Sequence, residues 1–148
     1  MRPAKMKSYK YVEWLSPVEM HQATLDWLSE LNFVRDEQKF LNDLVKTHTL
    51  ELTDSAIFEK SRKLVGDIAS AEHEVVALMK QVQAHENLLE IMIDDVNQPK
   101  MEAAYRDTHK DLTLAVRDYL INYRKLKSNL FGLVSTVLKK EKQKRLLN

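Results

Sequence analysis

Apolar residues recur every three or four positions over most of this chain, and the strongest run lies in its middle. Ile57, Ser61, Leu64, Ile68, Ala71, Val75, Leu78, Val82, His85, Leu89, Met92 and Val96 alternate steps of four and three. That is a heptad seam, the pattern that packs one long helix along another. "NQP" then breaks the chain, and a second seam follows: Tyr105, His109, Leu112, Val116, Tyr119, Tyr123, Leu126, Leu130, Leu133 and Val137. A short connection makes two such helices antiparallel neighbours.

The first third is less regular. Ser16, Pro17 and Glu19 form a helix-start signal, a capping box with proline at the first helical position. Met20, Trp27, Leu28 and Leu31 supply a stripe that fades into "NFVRDE". A second stripe follows in Leu41, Leu44, Val45, His48 and Leu52, before "TDSA" ends it with Thr53 or Asp54 as the next cap. The pattern therefore predicts helices over about 16–31, 36–52, 54–96 and 99–138. The expected fold is all-α: an antiparallel four-helix bundle with two short N-terminal helices and a long, coiled-coil-like C-terminal hairpin. Residues 1–15 are read as an arm rich in basic and aromatic residues, 16–138 as the bundle domain, and 139–148 as a basic helix end.

Composition agrees with few, long elements. The 148 residues include only two glycines and three prolines, too few turn formers for a sheet protein. No cysteine is present, which removes disulfides and thiolate chemistry and suggests a reducing compartment, the cytoplasm. No run approaches the ~18 apolar residues of a membrane span, and no apolar stretch follows the basic start as in a secretory signal.

Charge is sorted along the chain although its net value is +1. Arg2, Lys5, Lys7 and Lys10 stand in the arm with Glu13, and Lys139, Lys140, Lys142, Lys144 and Arg145 stand in the tail with Glu141. In an up-and-down four-helix bundle these segments meet at one end, with +7 between them against −6 elsewhere. Such an end could hold nucleic acid, an anionic surface or an acidic protein, although solvated helix ends look the same.

Two histidine pairs are the candidate chemistry. With the last turn centred near Gln98, His85 and His109 come to about one level. A turn near Val34 would bring His21 beside His48, with Glu51 one turn away. Bundles do build transition-metal sites from facing helices, so His21, His48 and Glu51, or His85 with His109, form the metal-binding alternative. The Glu-x-x-His motif of carboxylate-bridged sites is absent, and a single polar residue in a seam also serves to fix register. No cofactor is required by this reading. No Ser-His-Asp set or glycine-rich phosphate loop is legible, so catalysis is not indicated.

Two short helices could cover only half of the long hairpin. Its distal half would keep an apolar surface, centred on Leu78, Val82, Leu89 and Met92, wider than one seam needs. The sequence thus points to a non-enzymatic assembly or interaction module, a homodimer through those four residues or a complex with another protein.

Overall fold

The computed structural model describes residues 15–94 and 99–147. Those residues are all-α, with no strand among them. Three long helices, α1 (Pro17–Thr47), α3 (Phe58–Asp94) and α4 (Pro99–Leu147), run up, down and up; α2 (Thr49–Leu52) is a single turn after α1. No helix among them is long and apolar enough to cross a membrane.

The first third departs from expectation. One helix of 31 residues, about 46 Å long, replaces the two short ones. Its start is the expected one: the Ser16 hydroxyl accepts from the Glu19 N–H at 3.1 Å, and the Ser16 N–H donates to the Glu19 carboxylate at 2.9 Å. "NFVRDE" does not stop it, because the buried positions continue in heptad steps: Met20, Thr24, Trp27, Leu31, Val34, Gln38 and Leu41. No glycine or proline interrupts this stretch, and a sustained seam with a partner outweighs a locally polar run. The helix ends at His48, where hydroxyls compete for backbone carbonyls: Thr47 bonds to the Asp43 oxygen, and Thr49 to those of Val45 and Lys46.

α3 begins later than expected, after a turn in which Asp54 accepts the Ala56 N–H, and passes through Gly66 unbroken. α4 continues through the lysine-rich tail to Leu147, since long charged side chains are good helix formers and basic groups suit a C-terminus. All described seam positions from Ser61 to Met92 and from Tyr105 to Val137 are buried.

α1 packs antiparallel to α3 and parallel to α4. Met20 closes over Leu89, Met92 and Tyr105. Farther along, the Tyr119 hydroxyl donates to the Ala71 carbonyl at 2.7 Å and accepts from the Gln38 amide at 3.1 Å, tying three helices together. Burial pushes Tyr119 up to about 12. The Tyr123 hydroxyl and the Lys127 ammonium both donate to Glu37, at 2.8 and 3.0 Å. A continuous α1 covers the hairpin's distal half. Leu78, Val82, Leu89 and Met92, expected at a self-interface, are therefore buried inside this chain.

Candidate functional site

Chemistry-bearing residues concentrate toward the C-terminal end of α3 and the N-terminal end of α4. His85 and His109 face each other from their seams, with Nε2 of His85 3.0 Å from Nδ1 of His109. Trp27 of α1 stacks on the His109 ring, centroids 4.7 Å apart. Burial holds both imidazoles neutral, His85 lowered to about 4 and His109 to about 3, the latter also by the charge His85 would carry. One ring must donate to the other. We assign the proton to Nε2 of His85, because Nδ1 of that ring is buried without a partner and a bare lone pair costs less there than an N–H. The pair is a neutral polar layer in the core.

Beside this layer, nearer the surface, the register of α1 on α3 brings His21 to Glu86, Nε2 to Oε2 at 2.7 Å. The Gln83 amide holds the other oxygen of Glu86 at 2.8 Å. Glu90 follows at the i+4 position, and one ligand atom each from His21, Glu86 and Glu90 lie within 4.8 Å of one another. Glu86 is 7% exposed and the only buried carboxylate among the described residues. Its carboxyl is held below the ordinary glutamate value chiefly by the bond to His21, against the opposing effect of burial; bonds to Glu90 and Gln83 add to the lowering.

The expected His21, His48 and Glu51 group does not assemble. His21 and His48 stand about 40 Å apart along one helix, because α1 never turns back. His48 caps the end of α1, and Glu51 lies in α2. The partner of His21 is instead Glu86, one position after the seam residue His85. Only the α1–α3 register identifies it, since 65 residues separate the two in sequence.

The opposite end is basic. Lys139, Lys140, Lys142, Lys144 and Arg145 are exposed along the last turns of α4. Lys5, Lys7 and Lys10 lie outside the described residues. The described chain begins at Leu15, whose carbonyl accepts from Arg106 at 2.9 Å, at the end of the bundle opposite the α4 lysines, an acidic tip that carries Glu86, Glu90, Asp94 and Glu102. Between α1 and α4 on the basic half runs an open groove of about 470 Å³ lined by Phe40, Leu44, Phe131, Val134 and Leu138, with Lys139 and Lys142 on its rim. Phe40 and Phe131 face each other across it, centroids 6.4 Å apart, and remain 55% and 41% exposed. Compared with known protein families, curated proteins and solved structures, the chain matches none.

Proposed function

We propose that this chain is a non-enzymatic interaction module whose α1–α4 groove receives an amphipathic helix with acidic flanks. The observation that carries this is the pair of exposed phenylalanines, Phe40 and Phe131, facing each other beside Lys139 and Lys142. Three-helix packing leaves them wet, and exposed aromatic surface rimmed by charge is characteristic of helix-in-groove recognition. The incoming helix supplies the fourth member of a four-helix bundle. The lysines select its charge and steer its approach.

A second copy is the poorer occupant. Pairing this groove with itself about a two-fold axis sets one basic rim against another, and the residues first expected at a self-interface are already covered by α1. Lack of cysteine fits a reducing compartment such as the cytoplasm.

Two synthetic amphipathic peptides with one apolar face, flanked either by glutamates or by lysines, test the reading by fluorescence anisotropy. The acidic peptide should bind at least about tenfold tighter, weaken with salt, and lose binding to Phe131→Asp. Equal binding of both peptides, or none, would overturn it. So would sedimentation showing a dimer that Phe131→Asp dissolves, because the occupant would then be a second copy.

A further inference from the structure

We propose that His21, Glu86 and Glu90 form a binding site for a divalent transition-metal ion at the α1–α3 contact, near the acidic tip. Two features point beyond an ordinary ion pair. Glu86 is a buried carboxylate, and such groups persist where something compensates their charge. Here a second carboxylate, Glu90, brings an oxygen within 4.8 Å of the ligand atoms of Glu86 and His21, and two ionised carboxylates carry more negative charge than one imidazolium can match. A dication balances the two carboxylates while imidazole supplies the nitrogen ligand.

The geometry needs little change. A tetrahedral ion with ligands at about 2.0–2.2 Å holds its donors roughly 3.4 Å apart. The 2.7 Å contact of His21 with Glu86 must open by well under an ångström, and Glu90, exposed on its helix, swings in to close the set. Gln83 already fixes the far oxygen of Glu86, as an outer partner does for a ligating carboxylate. His21 is 22% exposed at its side chain, so water reaches the remaining coordination positions. One nitrogen and two carboxylates suit Zn²⁺, and the imidazole disfavours Ca²⁺ and Mg²⁺, which prefer all-oxygen shells.

The test is calorimetric titration of the full, chelator-treated chain with Zn²⁺ at pH 7, paired with thermal unfolding. One Zn²⁺ per chain is expected, with a Zn²⁺-dependent rise in Tm. Glu90→Gln alters only an exposed side chain and keeps the fold measurable; it should weaken binding about tenfold or more. His21→Ala and Glu86→Gln should do the same, while His48→Ala and His73→Ala leave it unchanged. Absence of saturable binding overturns the site. Stoichiometric binding that survives both His21→Ala and Glu90→Gln, or Ca²⁺ binding as tight as Zn²⁺, does so equally.

Discussion

The continuity of α1 decides everything downstream of it, and a single proline tests it. Arg35 stands near the middle of the helix with its side chain exposed. The guanidinium donates to the Asn32 side-chain oxygen at 3.4 Å, an exposed contact. In a continuous helix its N–H bonds to the Leu31 carbonyl. Arg35→Pro removes that bond and drives the ring against the same carbonyl, at a cost of about 3 kcal/mol or more. Were residues 32–35 instead a loop between two short helices, the same change would cost almost nothing. Urea unfolding followed by circular dichroism separates the two. With a slope of about 2 kcal/mol per molar urea, the midpoint should fall by about 1.5 M. Arg35→Ala should stay within about 0.5 kcal/mol of the parent, because no buried contact is lost. A kink of about 20° at this point also displaces His21, roughly 21 Å away, by about 7 Å, so the proline variant should lose Zn²⁺ affinity as well. A midpoint shift under about 0.5 M would refute a continuous α1 and bring back the hairpin.

Other consequences are directly measurable. His85 and His109 are held neutral in the fold but take up protons near 6.5 once unfolded, so the unfolded state gains protons and stability falls as pH drops below about 6.5. At about 1.4 kcal/mol per unit per group, the loss between pH 7 and 5 should be about 3–4 kcal/mol in the presence of chelator, and the double variant His85→Leu/His109→Leu should lack it. Glu86 acts in the same sense but in a lower window: its stabilisation is full above about 4.5 and is lost only below it, so a flat profile from pH 7 to 5 would sink the histidine argument. Gly66 and Gly132 lie inside helices with open space where a Cβ would stand, so Gly66→Ala and Gly132→Ala should each add about 0.5–1 kcal/mol; destabilisation by either would mean a kink or a contact at that point. Leu89→Ala should cost about 2–5 kcal/mol, with an unfolding midpoint independent of protein concentration. A midpoint that rises with concentration would return Leu89 to an interface between chains.

Much of the bundle is legible in one dimension, because heptad spacing is a local property: a seam needs only to recur to declare which face of a helix is buried. The seams of α3 and α4, and the turn that brings His85 opposite His109, follow from spacing and a break at "NQP". The capping box at Ser16 follows from four residues. α1 misled because its own seam carries Thr24 and Gln38 at core positions. "NFVRDE" reads as a stop beside such a broken stripe; folded, Thr24 bonds to the Met20 carbonyl and the Gln38 amide N–H to Tyr119, so both are held in the core. Whether a polar seam residue belongs in a core depends on a partner tens of residues away.

The same reason hid the candidate site. His85 and His109 meet across α3 and α4, whose closeness in sequence implies their register. His21 and Glu86 meet through the register of α1 on α3, which is set by packing across the whole contact, from Met20 on Leu89 to Asn42 bonded to Glu72. The groove beside Phe40 and Phe131 is likewise a product of assembly: each phenylalanine lies beside its seam, and only three helices packed without a fourth leave the two facing each other in water. Local periodicity determined the two long C-terminal helices, their buried faces and the histidine layer. Tertiary packing decided how many helices there are, which carboxylate His21 meets, and which apolar residues stay uncovered, because each depends on registers between segments far apart in the chain.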